Sequence, residues 1–126
     1  MSKEKQNNQN LPKSTIAGAS IYDAIYDLVR LVPKGRVTSY GAVASAIGAA
    51  SGARVVGYAM NLSFGIKPKV PAHRVVNRNG MLTGKHHFSP PEKMQQLLEK
   101  EGVQVKDDQV VDFDSIFWDP VKELEM

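Results

Sequence analysis

His73, His86 and His87, together with Glu101, are the side chains whose types could carry acid–base or metal chemistry in this sequence. Their spacing does not suit a metal, since there is no His-x3-His pair and no Cys to complete a ligand set. His73 and Glu101 could form a base and its orienter, but a base needs something to activate. The residue before His73 is Ala72, whose methyl group is inert. A histidine beside an arginine in a turn then reads as a structural hydrogen-bonding group. The lack of any Cys also removes disulfides, iron–sulfur clusters and a thiol nucleophile. Glycines 35, 41, 48, 52 and 57 fit neither Gly-x4-Gly-Lys-Ser/Thr nor Gly-x-Gly-x2-Gly, which argues against nucleotide hydrolysis. No metal and no cofactor is expected.

The elements that must position these residues fit into one domain of 126 residues, of which 42% are hydrophobic and 23% charged. Residues 1–13 form a Lys/Gln/Asn-rich run with little to bury and are expected to be a disordered arm. Residues 14–106 are expected to be the domain, and residues 107–126 an acidic extension whose Ile116, Phe117 and Trp118 pack back on it. Apolar residues recur at helical spacing from Ile21 to Val32, with Ser20 as N-cap and Pro33 past the end. Thr38 or Ser39 caps a short helix ending near Gly48, and Ser51 starts another that runs to about Asn61. Two short helices after a longer one suit a helix-turn-helix arrangement or another small helical subdomain. Val75-Val76 and Met81-Leu82 flank Asn79-Gly80, a hairpin signal. Ser89-Pro90-Pro91-Glu92 predicts a capped helix bearing Met94, Leu97 and Leu98 and stopped by Gly102. A second hairpin is expected around Asp107-Asp108. There is no internal repeat and no apolar run long enough to span a bilayer, and the N-terminus has no apolar h-region. A cytoplasmic or nucleoid-associated protein is expected.

Charge is unevenly placed. Sixteen basic and thirteen acidic residues give a formal charge of +3. Between Asp27 and Glu92 there is no acid at all, against nine cations: Arg30, Lys34, Arg36, Arg54, Lys67, Lys69, Arg74, Arg78 and Lys85. From Asp107 onward seven acids face Lys122 alone, a net of −6, which leaves +9 on residues 1–106. A basic block of this kind suits a polyanion such as nucleic acid, or is a solvated face. Ala53, Gly57 and Ala59 keep the second short helix small, so its backbone could approach a DNA groove with Arg54 as a probe at its N-terminal end. The alternative is an exposed helix arginine.

Five segments, Val37-Thr38-Ser39-Tyr40-Gly41, Ala53-Arg54-Val55-Val56-Gly57, Pro71-Ala72-His73-Arg74-Val75-Val76, Leu82-Thr83-Gly84 and Leu97 to Gly102, decide between these. In this order they resemble the signature segments of the DNA-binding domain of O6-alkylguanine-DNA alkyltransferases, over roughly residues 20–105. Those repair proteins carry a Pro-Cys-His-Arg-Val motif whose Cys removes the alkyl group from guanine. Ala72 stands at the Cys position, and this, with no counterpart of the enzymes' N-terminal domain, is similar to the alkyltransferase-like proteins, which bind alkylated guanine without repairing it and pass the lesion to nucleotide excision repair.

The resemblance implies a mostly α fold with a small β-hairpin, of the winged helix-turn-helix-like kind. It implies a monomer that binds double-stranded DNA containing alkylated guanine through the minor groove, with Ser39, Tyr40, Ala53, Arg54 and Gly57 on the DNA. A base must leave the stack to be inspected at O6. Arg54 would fill the gap that the flipped base leaves, and Tyr40 would crowd the neighbouring phosphate. The lesion pocket would comprise Tyr40, Met60, Pro71, Ala72, Val75 and Lys85, with the Ala72 and Val75 carbonyls accepting from the guanine amino group. Backbone N–H groups between Gly84 and Ser89, and Lys85, His86 or His87, would meet O6 or N7. His73 and Glu101 would be a structural remnant of a proton relay, and Arg74 a loop brace. Three departures stand out: Ala rather than Trp at position 72, no Asn-Pro pair between Asn61 and Lys69, and His86-His87-Phe88 on the pocket rim. The alternative identity is an active methyltransferase domain with an introduced Cys-to-Ala change at Ala72.

Overall fold

A computed structural model describes residues 20–49 and 52–126. Residues 1–13, expected as a disordered arm, and Ser51, expected to start a helix, lie outside the described residues.

Helix α1, Ile21–Val29, starts at Ser20, whose side chain accepts from the Asp23 amide, and buries Ala24, Ile25, Leu28 and Val29. It ends three residues short of the expected Val32. The amides of Leu31 and Val32 turn back to Leu28 and Val29 in a tighter i→i+3 pattern, and Pro33 disfavours a helical residue before it. Strand β1, Thr38–Ser39, leads into helix α2, Tyr40–Ile47. Of the two candidate caps, Ser39 takes the position, its hydroxyl oxygen accepting from the Ala42 amide at 3.1 Å. Gly48 closes the helix at φ 77°, a left-handed conformation that glycine adopts without a Cβ penalty. Helix α3, Ala53–Asn61, packs across α2 and α1 with Val56, Ala59 and Met60 inward. The three helices share one core of Ile25, Val29, Val43, Val56, Met60 and Val75.

The Asn-Gly turn forms, but not the hairpin expected from it. Asn77 closes the loop with its own side chain, whose Oδ1 accepts from the amides of Asn79 and Met81 at 2.8 Å. That local bonding replaces a strand ladder. Beyond the turn the two arms part: β2, Val75–Val76, pairs in parallel with β1, Thr38 opposite Val75 and Ser39 opposite Val76. Met81 bridges instead to Gln109.

Helix α4, Lys93–Lys100, is not capped by Ser89 as expected. The Lys93 and Met94 amides bond to the carbonyls of Pro90 and Pro91, so the prolines form a separate turn ahead of the helix and Ser89 is out of reach. Its C-terminus is as expected: Val103 N–H bonds to Leu98 O, Gly102 N–H to Glu99 O, and Gly102 has φ 90°. Strands β3, Val105–Lys106, and β4, Gln109–Val110, form the second hairpin, with Asp107 and Asp108 both left-handed in its two-residue turn. Two four-residue helices follow, α5 at Phe113–Ile116 and α6 at Pro120–Glu123, the latter beside α2. Trp118 is buried and donates its amide to Val37 O, and Arg36 donates to the carbonyls of Ile116 and Phe117. A second core of Val37, Val76, Leu82, Met94, Leu98 and Val110 lies on this side, and Phe88 borders both. The described residues are thus mostly helical with two small two-stranded sheets. No described helix is long and apolar enough to cross a membrane.

Candidate lesion-binding pocket

Arg54, Gly57, Tyr58 and Asn61 fall at i, i+3, i+4 and i+7 of α3 and so share one face of the helix. All four border a hollow of about 290 Å³ that opens between α3 and the chain from Thr83 to Phe88. Met60 lies along one side, and Ala72, 6% exposed at the start of a 3-10 turn over Ala72–Arg74, contributes only a methyl group. Tyr40, the first residue of α2, forms part of the wall. Its hydroxyl is bonded with Thr83 and lies so near Gly84 that a Cβ there would sit 2.6 Å from it. Burial raises the Tyr40 pKa, with the Thr83 bond opposing, so the phenol stays protonated and available as a donor.

Phe64 and Phe88 meet edge to face at 4.9 Å. They border this hollow and also a neighbouring one of about 380 Å³, and Ala72 and His87 touch both. The second hollow has Lys69, Lys93 and His73 around it and no carboxylate.

Behind Ala72 the 3-10 turn is fixed by a buried ionic knot. Arg74 donates to both Glu101 oxygens, Nε to Oε1 at 3.0 Å and Nη2 to Oε2 at 2.6 Å, and its Nη1 donates to Val32 O at 2.8 Å. His73 Nε2 lies 3.0 Å from Glu101 Oε2. Burial would raise the Glu101 pKa, but bonds from Arg74 and His73 and their charge hold it down at about 2. Burial lowers the His73 pKa, with Glu101 opposing, so the ring is neutral at pH 7 and donates from Nε2 to the carboxylate. Arg74 therefore ties the turn to the ends of α1 and α4, and His73 has no nucleophile beside it.

Of the residues expected at the site, Tyr40, Arg54, Gly57, Met60 and Ala72 are brought together around the hollow. Ser39 and Ala53 sit at the starts of α2 and α3, next to it without lining it. Pro71 precedes Ala72 and Val75 follows the 3-10 turn; neither lines the hollow, and Val75 turns its side chain into the core beside β1. Lys85 departs from expectation. Its ammonium lies 2.6 Å from the Asp108 carboxylate in the β3–β4 turn and does not line the pocket. Of the backbone amides between Gly84 and Ser89 expected to meet the base, those of Lys85, His87 and Phe88 close the 3-10 turn over Lys85–His87, bonding to Leu82, Gly84 and Lys85. Tyr58 and Asn61 were missed at sequence level, although their i+4 and i+7 spacing from Arg54 places them on its face. Phe64 and Thr83 stand in loops, where no periodicity points to them. Among the described residues no cluster of three or more His, Asp or Glu could hold a metal ion.

Paired short helices, an exposed arginine that no described residue pairs with, and an aromatic-walled hollow beside it define a helix-turn-helix-like domain. Residues 20–103 match the family described as 6-O-methylguanine DNA methyltransferase, DNA binding domain, and the chain belongs to that family. It is 36% identical to alkyltransferase-like protein 1 of Schizosaccharomyces pombe over 84 residues, covering 67% of this chain and 77% of that one. It is 34% identical to the DNA base-flipping protein of Vibrio parahaemolyticus over 97 residues, covering 76% of this chain and 93% of the relative. Its fold superposes on the crystal structure of S. pombe Atl1 in complex with damaged DNA containing O6-carboxymethylguanine with a TM-score of 0.65 at 34% identity, covering 77% of this chain and 93% of that one. The chain spans about half the length of the methylated-DNA–protein-cysteine methyltransferases it also matches, 52% in the case of Shigella flexneri.

Proposed function

We propose that this protein is a non-enzymatic reader of alkylated guanine in duplex DNA. The observation that supports it above others is the pairing of an exposed Arg54, unpartnered among the described residues, with a hollow whose inner wall is the Ala72 methyl group, in a chain without a single Cys. The alkyl acceptor of the enzymes that the sequence resembles is a Cys thiol, and at the matching position this pocket presents only a methyl group, so it holds a lesion without taking it. The similar S. pombe protein was crystallised with damaged DNA.

In this reading Arg54 enters the duplex from the minor groove and fills the space left by the flipped guanine, offsetting part of an unstacking cost of a few kcal/mol. The guanine lies against Met60 and Tyr40, with the Ala72 and Val75 carbonyls accepting from its amino group. The alkyl group projects over Ala72 toward Phe64 and Phe88. Because alanine leaves that wall short and a second hollow adjoins it, adducts larger than methyl fit the same path. Ser39, Ala53 and Gly57 let the backbone approach the DNA. The protein acts as a monomer in the cytoplasm, on the nucleoid, and passes the flagged lesion to nucleotide excision repair.

The test is a paired binding measurement on duplexes that differ by one O6-methylguanine, with mass spectrometry of DNA and protein afterwards. We expect tighter binding to the modified duplex and an intact methyl group on the DNA. Equal affinity for the two duplexes, or a methyl group found on the protein, overturns the reading.

A further inference from the structure

The family match ends at Val103, yet the chain beyond it returns to the pocket wall. Asp108, in the β3–β4 turn, grips that wall twice. Its backbone carbonyl accepts from the Leu82 amide at 2.9 Å, and its carboxylate accepts from Lys85 Nζ at 2.6 Å. Between these two contacts lie only Thr83 and Gly84, which border the hollow and face the Tyr40 hydroxyl. Val110 N–H bonds to Gly80 O and the Gln109 side chain to Asn79 O, so the whole hairpin is laced to this loop.

We propose that Asp108 is a specificity-determining residue that withholds Lys85 from the DNA backbone. Lys85 follows Gly84 at the edge of the hollow, where a cation free to turn outward would meet a phosphate beside any nucleotide, damaged or not. Such a contact adds affinity without information about the base. Occupied by Asp108, the ammonium adds little to binding of undamaged DNA, and discrimination rests on what enters the pocket. The acid that does this lies beyond the residues that the family model matches, in a turn position with φ 61° that Asp and Asn tolerate better than other side chains. The inference rests on the reading above only in taking duplex DNA as the partner.

The experiment is a salt titration of binding to undamaged and O6-methylguanine duplexes. Asp108→Asn keeps the left-handed turn while removing the charge. We expect this variant to bind undamaged duplex about 3- to 10-fold tighter at low salt, with a log–log salt slope steeper by about 0.9, the value for one further phosphate contact. The ratio of damaged to undamaged affinity should fall accordingly. Asp107→Asn removes the same charge one residue away, where no described residue pairs with it, and should leave slope and ratio at wild-type values. Asp108→Asn combined with Lys85→Met should return the slope to wild type. An unchanged slope in Asp108→Asn, or a steeper one that persists without Lys85, overturns the proposal. If wild-type protein fails to distinguish the duplexes, the reader assignment fails, while the slopes on undamaged DNA still decide the role of Asp108.

Discussion

Glu101 is the residue on which the pocket's inner wall depends, because it satisfies Arg74 and His73 at once behind Ala72. Its carboxyl is held down at about 2 from an ordinary 4.5, so the folded state is favoured above about pH 4.5 and that advantage is lost as pH falls toward 2. The lowered His73 pKa acts in the same direction, since the unfolded chain takes up a proton first as pH falls through about 6.5. Unfolding free energy measured by denaturant should therefore decline on acidification, with about 3 kcal/mol attributable to Glu101. Glu101→Gln should be less stable at pH 7 by about 3 kcal/mol, since it leaves the mostly buried Arg74 without its counter-charge, and should lose the part of the acid limb between about pH 4.5 and 2 while keeping the part due to His73. A wild-type profile that is flat between pH 7 and pH 3 contradicts the assignment. Arg54 makes the opposite case: exposed and unpaired among the described residues, it is free to substitute without structural cost. Arg54→Ala should leave the melting temperature within error and lower the affinity ratio between O6-methylguanine and unmodified duplexes at least tenfold; an unchanged ratio removes it from the role of plug. The positions of Ala72, His73, Arg74 and Glu101 were legible because they sit in recognisable segments. That Lys85 is turned away was not, since its partner Asp108 is 23 residues distant and in a hairpin whose packing no local signal reports.

At the scale of elements, the helices follow from short-range rules: Ser39 caps, Gly48 and Gly102 terminate, and apolar spacing selects the inner faces. What failed was pairing between segments. Val75-Val76 and Met81-Leu82 have hairpin chemistry between them, but β1 offers Val75-Val76 a parallel partner from 37 residues back in the chain, and Asn77 spends its side chain closing the loop. Ser89 illustrates the same limit at a helix start, where two prolines built their own turn first. One residue runs against its element's own preference. Gly57 sits inside α3, where glycine costs about 1 kcal/mol relative to alanine, and a Cβ added there would meet no atom within 4 Å. The open space borders the hollow, so a side chain at 57 would fill room needed by DNA rather than clash with the protein. Gly57→Leu should thus raise the melting temperature by several degrees while weakening binding to damaged duplex at least tenfold. Thermal unfolding and a binding isotherm on the same preparation check both halves; a stabilised variant with unaltered affinity shows that this face of α3 does not meet DNA.

Over the whole molecule the acid-free block between Asp27 and Glu92 suggests nine cations facing a polyanion, and the fold divides them. Arg30 donates to Pro68 O and Asp27, Arg36 to the carbonyls of Ile116 and Phe117, Arg74 to Glu101 and Val32 O, and Lys85 to Asp108. Four of the nine thus act as internal clamps, two of them on the acidic chain beyond Val103. Charge density along a sequence cannot distinguish a cation that holds the protein together from one that faces outward, because the carbonyls and carboxylates it meets come from distant segments. Lys34, Arg54, Lys67, Lys69 and Arg78 remain without a partner among the described residues. The end of the acidic tail is anchored by Trp118 at Val37 and lies beside α2, while Arg54 and Lys69 of these five border the two hollows. If duplex DNA is the partner, the slope of log affinity against log salt measures how many of them meet phosphates, at about 0.9 per contact. Five contacts set a limit of about 4.5 for this block, against about 8 if all nine took part. We therefore expect this block to contribute at most about 4.5 to the wild-type slope on undamaged duplex. A value near 8 means that binding opens all four clamps, at Arg30, Arg36, Arg74 and Lys85, and Glu101→Gln, which frees Arg74, should then leave the slope unchanged.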